Sequence, residues 1–408
     1  PRHDSGHVMR CSVAGYPVQG ASLWRVGGFQ PLFVWDFTQQ SPGALVLPTG
    51  LTFARASSGH TVQTSESALV TAGITSNDVG RIGRLSSAQS YGLYVEPSRT
   101  NLIGSSRSPQ SLPSGSWAST TTGQSDAAGG SAAVRVQSNS GATGRYVQSG
   151  TLSGSYTGSA WYAKGSGSGA YQMTIGNTTT HAQGGTASAT WARVVLTHVV
   201  PTETLYYLPN DGQNQSASGG VAAGARDALV DFMQLEAGKY PTSAILTSVG
   251  ATRSGERLSI DSTRAAASVV SGRLGVYLRF RALAASSELG SGEGTLLAWA
   301  TGSVVVDPTS TYLKAIDGAL YSQTANAAIS WARGDLLEFV VEVGAGTTAL
   351  RWRVNGGATN ASVFSTRDDA LAALSLSAGL DVCNTAAAGQ MPSIVERLST
   401  FVPGRALF

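Results

Sequence analysis

The chain has 408 residues, room for two or three domains. Only 12% of them are charged, about half the usual share, and 27 basic against 24 acidic residues leave a net charge of +3 with no basic run. That balance excludes a phosphate-tracking groove, and with it nucleic acid as a partner; no apolar run approaches the roughly 20 residues of a membrane helix, so membrane insertion is not expected. A surface this poor in charge is expected to be partly covered in a homo-oligomer, because little self-repulsion keeps copies apart. The N-terminal PRHDSGHVMR is unlike a signal peptide, which points to synthesis in a cytoplasm. Cys11 and Cys383 lie in opposite terminal regions without disulfide or zinc spacing and are expected to be free, buried thiols.

Residues 1–50 mix Gly and Pro with large apolar side chains and show no sustained helical period. They read as an anchoring arm whose aromatics, Trp24, Phe29, Phe33 and Trp35, dock on the following domain or on another subunit. Residues 51–102 alternate short strand-like runs with turns and read as a small β-rich connecting region.

Residues 103–250 open on a Ser, Thr, Gly and Pro-rich stretch. They continue as short strands at regular spacing, among them GRYVQSGTL, GSAWYAKG, ATWARVVLTHVV, ETLYYLPN and DALVDFMQLEAG, the pattern of a jelly roll. In ATWARVVLTHVV the residues Ala192, Val194 and Leu196 share one face, with Trp191, Arg193 and Thr197 opposite. The segment 231–254 ends an apolar strand at Gly238 and reads as the seam to the next domain.

Residues 251–408 alternate more cleanly. Leu274, Val276, Leu278 and Phe280 point one way, as do Leu337, Phe339, Val341 and Val343, both patterns of half-buried antiparallel strands. Leu350, Trp352 and Val354 precede Asn355-Gly356, which favours a two-residue hairpin turn. The best helical candidate is the short run 366–374. The fold class is therefore all-β: two consecutive β-sandwiches, jelly-roll and concanavalin-like, preceded by an irregular N-terminal anchoring segment.

Two stretches carry a family resemblance. TFARASSGHTV with GLYVEPSRTNL resembles a signature of tailed-bacteriophage virion proteins of the tail, tail-fibre or minor structural group, matching at Phe53, Arg55, Ala56, Ser57, Gly92, Glu96, Arg99, Thr100 and Asn101. DFMQLEAGKYPTSAILT resembles the segment that closes a carbohydrate-binding-module-like jelly roll in the same group, matching at Gln234, Leu235, Glu236, Gly238, Thr242, Ser243, Ile245 and Thr247. The resemblance spans residues 51–408 and implies a concanavalin-like or laminin-G-like sandwich at the C-terminal end. It implies a structural component of a tailed phage particle, assembled in the bacterial host cytoplasm and attached to other virion proteins through residues 1–50. The chain would be a trimer if it is a fibre, displaying lectin-like sandwiches toward host surface glycans. A capsid decoration or head-fibre protein without a ligand is one alternative, and a polysaccharide depolymerase another.

The chemistry favours the non-enzymatic reading. A depolymerase needs two carboxylates about 5–10 Å apart in a cleft, and no spacing among Asp211, Asp227, Asp231, Glu236, Asp307, Asp317, Glu338 and Glu342 singles out a pair. Glu338 and Glu342 read as solvated or cross-strand partners. His3, His7, His60, His181 and His198 are too scattered for a metal motif, and no cofactor fingerprint is present. Glu96 and Arg99, close to a Pro-Ser turn, are expected to fix a domain junction by bidentate hydrogen bonds, with Glu236 doing the same at the seam. Sugars would stack on outward aromatics, with Trp191 first and Trp161 and Tyr206 behind it.

Overall fold

The computed structural model describes residues 31–401 apart from 56–59, 73–78, 105, 108–117, 139–145, 166–171, 177–180, 185–187, 211–226, 247–250, 291–292, 301, 308–311, 318–320, 345–346, 366–375, 377–378 and 384–389. Trp24, Phe29, Cys11 and the helical candidate 366–374 lie outside the described residues.

Among the described residues, the strands gather into three large sheets and two short ladders. Sheet I runs in the order Gly43–Val46, Val79–Gly83, Gly92–Val95, Ser393–Phe401, Leu274–Ala282, Leu336–Gly344, Thr347–Val354 and Asn360–Ser365, and Pro31–Asp36 also pairs with Ser393–Phe401. Sheet II runs Tyr321–Ala328, Tyr312–Asp317, Gly302–Val306, Thr295–Trp299, Leu380–Val382, Arg257–Ile260 and Leu51–Ala54. One core joins them. Leu274, Val276, Leu278, Phe280, Leu337, Phe339, Val341, Val343, Leu350 and Trp352 come from sheet I; Phe53, Leu258, Ile260, Leu297, Val304 and Val382 come from sheet II. The alternation expected from the sequence is thus the inward face of a β-sandwich, the arrangement that buries one side of each sheet.

The sandwich draws on both ends of the described chain. Strands from residues 31–101 complete sheets formed mainly by 251–401, so the segments read as an arm and a connecting region are working parts of the C-terminal sandwich. Trp35 and Phe37 sit in its core, and Phe33, half-buried, stacks on Trp35 at 6.1 Å between ring centroids. The physical reason is the strand period: Phe33 and Trp35, two apart, share the inward face, and an edge that would otherwise expose backbone groups is covered.

Residues between these two parts form sheet III, in the order His181–Gly184, Gln172–Gly176, Ala192–Asn210, Tyr146–Lys164, Asp227–Ala237, Ala133–Ser138 and Ala118–Gln124. Its core is Ile103, Val134, Val136, Ala160, Tyr162, Ile175, Val194, Val230, Met233 and Leu235. Two pairs of runs that read as separate short strands are continuous, each 19 residues long. Gly154, at φ 100°, marks a bulge inside the first strand, where the register shifts between Leu152 and Gly154; it is not a turn. A glycine in the left-handed region lets an extended strand bend without ending.

Where the chain leaves the sandwich for sheet III and where it returns, it is zipped: Arg99–Asn101 pairs antiparallel with Ala251–Arg253. Asn355 and Gly356 take φ 50° and 70°, and Gly357 N donates to Val354 O at 2.9 Å, so the expected tight turn forms. The ladder nevertheless resumes only at Trp352 opposite Asn360, making the connection longer than a two-residue hairpin. The described α-helix is Ser262–Ala267, whose first turn is capped by Asp261 accepting from Arg264 N at 2.7 Å. Cys383 is a free, buried thiol, and burial pushes it up to about 12.

Candidate functional site

The two sequence motifs meet at the junction between sheet III and the sandwich, around the loop 238–246 that follows Asp227–Ala237. Burying so many polar groups is tolerable only if each finds a partner, and here the pairing is dense. Glu96, one residue past Gly92–Val95, accepts from Arg81 Nη2 at 2.6 Å, from Ser243 N at 2.7 Å and from Ser243 Oγ at 2.5 Å, with Arg253 Nη1 at 3.2 Å. Glu256 accepts from Arg81 Nε and Nη2, both at 2.7 Å, from Arg55 Nη1 at 3.2 Å and from Glu96 N at 3.1 Å. Arg81 bridges the two carboxylates and also donates from Nη1 to Thr61 O and Ser243 Oγ. All five charged side chains are buried. Burial alone would raise Glu96, but Arg253, Arg81 and the Ser243 hydroxyl hold it well below the ordinary carboxylate range.

Asn101 works beside this network as a backbone clip. Its Nδ2 donates to Met233 O at 3.1 Å, and its Oδ1 accepts from Ile103 N at 3.0 Å and Leu235 N at 3.1 Å. Gln234 accepts from Ile245 N at 2.6 Å through Oε1 and donates from Nε2 to Glu236. Glu236 in turn accepts from Thr242 N at 3.0 Å and Thr242 Oγ1 at 2.5 Å. The QLE run therefore pins the following loop residue by residue, and Glu96 reaches across from the sandwich to grip the next residue of that loop, Ser243.

The expected Glu96 and Arg99 partnership is different in detail. Arg99 turns away from Glu96 to bond Glu293 Oε1 at 2.8 Å, with its guanidinium 4.9 Å from the Tyr240 ring centroid; the Tyr240 hydroxyl donates to the same Glu293 oxygen at 2.8 Å. The intervening Pro97-Ser98 sends the two side chains to different sides of the junction. Both still tie sheet III to the sandwich. Arg81, Arg253 and Glu256 were not singled out by the sequence. The signal available was their charge inside short strand-like runs (VGRIG, ATRSGERLSI) of a chain with so few charges, since a charge on a strand's inward face needs a partner.

The remaining carboxylates are placed as follows. Asp227 pairs with Arg135, and Asp231 with Arg107, whose guanidinium also bonds Asp126 at 2.5 Å and lies 4.3 Å from the Phe232 ring centroid. Asp307 pairs with Lys314. Glu338 is the cross-strand partner of Arg353 and accepts from the Tyr277 hydroxyl at 2.7 Å; burial raises it, yet those hydrogen bonds hold it below its usual range. Glu342, by contrast, is raised by burial. Asp211 lies outside the described residues. Among the described residues there is no cluster of His, Cys, Asp and Glu fit to hold a metal ion.

Of the aromatic candidates, Trp161 is 2% exposed and belongs to a small cluster with Leu69, Ala127, Phe232 and Ala244, so it is a packing residue. Trp191 is half-buried against that same cluster. Its opposition to Val194 holds, but the face it shares with Arg193 and Thr197 looks onto the junction loop. The Tyr206 side chain lies outside the described ones.

A small cleft opens between the junction loop and the sandwich, lined in part by Tyr94, Trp161, Arg193, Pro241, Leu283 and Arg333. Arg193 Nη2 donates to Thr242 O at 2.5 Å and to Ser159 Oγ at 2.9 Å, and Arg333 Nη2 donates to Pro241 O at 2.8 Å. No helix among the described residues is long and apolar enough to cross a membrane.

No family model matches the chain, and no curated protein matches it. Among solved structures, the LG1-3 region of the laminin alpha2 chain is 11% identical over 63% of this chain and 63% of that one, with a TM-score of 0.25. Domains LG4-5 of the mouse laminin alpha1 chain are 12% identical over 75% of this chain and 88% of that one, with a TM-score of 0.19. This chain thus spans 63% of the laminin alpha2 region. Likeness at this level adds nothing to the all-β assignment, which rests on the strand pairing and the shared core.

Proposed function

We propose that the chain is a non-catalytic structural protein of a tailed phage particle, a fibre or minor tail component, that presents a rigid pair of β-layered units. The observation that carries this reading is the use made of the motif residues. Arg55, Glu96, Asn101, Gln234 and Glu236 are all spent on hydrogen bonds that organise the junction between sheet III and the sandwich, either on one side of it or, at Glu96 with Ser243, across it. A catalytic acid or base needs a reachable proton and a tuned pKa. The motif carboxylates instead sit buried under hydrogen-bond donors. Virion assignment itself rests on the sequence motifs.

Attachment to other virion proteins falls to residues 1–30, with Trp24 and Phe29 as its carriers, since Trp35 is committed to the chain's own core. Glycan contact, if sugars are the ligand, centres on Trp191. Homo-oligomerisation, as a trimer in the fibre case, follows from the sparse surface charge.

Cryo-electron microscopy of intact particles with and without residues 1–30 tests the reading. The full chain should be found on the particle as a symmetric assembly, and the shortened chain should fold but stay off it. Deleting 1–50 would be a poor test, because it removes strands of sheet I. Incorporation of the shortened chain at the normal level, or release of reducing sugar from capsular polysaccharide by the purified protein, would defeat the proposal.

A further inference from the structure

The guanidiniums of the junction fall into two groups. Arg55, Arg81 and Arg253 face Glu96 and Glu256 directly. Arg193 and Arg333, at the cleft, make no ion pair with any carboxylate among the described residues; each spends Nη2 on an oxygen of the 241–242 loop or of Ser159. The carboxylates whose fields reach them are already engaged: Glu96 as above, Glu236 by Gln234 and Thr242, and Glu288 by Ala285 N at 2.7 Å. Five guanidiniums against Glu96, Glu256, Glu236 and Glu288 leave a positive excess, and it sits at the cleft. Burial and the neighbouring Arg193 push Arg333 down to about 10, against the opposing pull of Glu288, Glu96 and Glu236.

A second, independent feature lies in the same wall. Tyr94 is 2% exposed, and its hydroxyl finds no hydrogen-bond acceptor. A buried hydroxyl left so is costly, and such groups in native folds call for an explanation. Leu283 and Trp161 form an apolar part of the cleft wall, and Glu96, which also lines it, has its carboxylate already bonded to Arg81 and Ser243.

We propose that this cleft binds an oxyanion, a carboxylate, sulfate or phosphate group that sits between Arg193 and Arg333 and accepts a hydrogen bond from the Tyr94 hydroxyl. One ligand then answers both features: it neutralises two like charges and gives the phenol its acceptor. Guanidinium forks match oxyanions in geometry, and charge-assisted bonds of this kind are the strong ones. The competing account, in which the two arginines only clamp the carbonyls of the loop, explains Nη2 of each but neither the missing counter-charge nor Tyr94. The inference stands apart from the virion reading, because it rests on the cleft alone. The group could arrive as a free inorganic ion or on an acidic sugar.

Calorimetric titration of the full chain with sodium sulfate, and separately with glucuronate oligosaccharide, at ionic strength held constant with chloride, decides the matter. Saturable one-site binding is expected. Arg333→Gln should weaken it about tenfold or more, the size of a lost charged hydrogen bond. Tyr94→Phe removes only a hydroxyl that donates to no acceptor, so it should fold as the wild type does while weakening binding several-fold. Tighter binding of the sugar than of sulfate supports a glycan-borne group, and the reverse order supports a free ion. Absence of saturation with both, or unchanged affinity in both variants, overturns the proposal.

Discussion

The floor and the mouth of the junction use the same side chain for opposite ends. At the floor, Arg81 and Arg253 are matched to Glu96 and Glu256 and sealed from water; at the mouth, Arg193 and Arg333 hold loop carbonyls and keep donors to spare. The difference teaches that a buried arginine is not in itself a sign of function. What separates a structural cation from a ligand-seeking one is whether the fold supplies its counter-charge.

The harshest way to break the floor is Arg81→Met. It removes the cation that bridges Glu96 and Glu256 and leaves each with one longer ion pair, to Arg253 and Arg55 at 3.2 Å; stripping one partner from a buried ionic network costs about 3–5 kcal/mol. We expect a fall of that size in chemical denaturation, or a chain that does not fold, whereas a loss under about 1 kcal/mol would show that the network relaxes cheaply.

Acid attacks the same place. Glu96 is depressed in the folded chain, so its contribution is present in full above the unfolded-state value of about 4.3 and is lost as pH falls through the ordinary carboxylate range and below. Denaturation midpoints should therefore drop on acidification, and Glu96→Gln should flatten that dependence while lowering stability at neutral pH. Parallel acid profiles for the two chains would show that other carboxylates carry the effect.

This floor was only half legible in the sequence. Glu96 and Glu236 stand out because they lie in motifs beside turns, and their rarity in a chain of few charges is what points to a junction. Their partners are not legible, since Arg253 and Glu256 reach Glu96 only after segments some 160 residues apart have met, and Arg81, 15 residues before Glu96 on the neighbouring strand, carries no motif that marks it. The same limit explains Trp35. The alternation in 274–280 and 337–343 is local and shows which face is inward, but nothing local says that Pro31–Asp36 will lie beside Ser393–Phe401. Long-range pairing leaves its mark on composition and not on spacing, so strands of the sandwich read as an arm.

Between floor and mouth stands Trp191, half-buried against Trp161 and Ala244. Trp191→Ala should cost about 1–2 kcal/mol, less than the 3–5 kcal/mol of a fully buried tryptophan, and thermal melts read the difference. A full core-sized loss would remove Trp191 as a sugar platform, because a residue that deep has no face to offer.

The smallest effect is expected at the mouth itself, and it is the one that tests the comparison most sharply. Arg333→Gln deletes a cation that burial and Arg193 both disfavour, at the loss of one hydrogen bond to Pro241 O. A base whose folded pKa is lowered gains nothing from folding in its charged form, so the stability it contributes appears only as pH rises through about 10 toward its unfolded value. At neutral pH the lost bond, about 1 kcal/mol, is offset by relief of the like-charge contact, and the melting temperature should barely move. Urea titrations of Arg333→Gln beside Arg81→Met would then separate by several kcal/mol two arginines that belong to one buried junction. If Arg333→Gln destabilises the chain as deeply as Arg81→Met, the mouth is as structural as the floor, and the distinction between them fails.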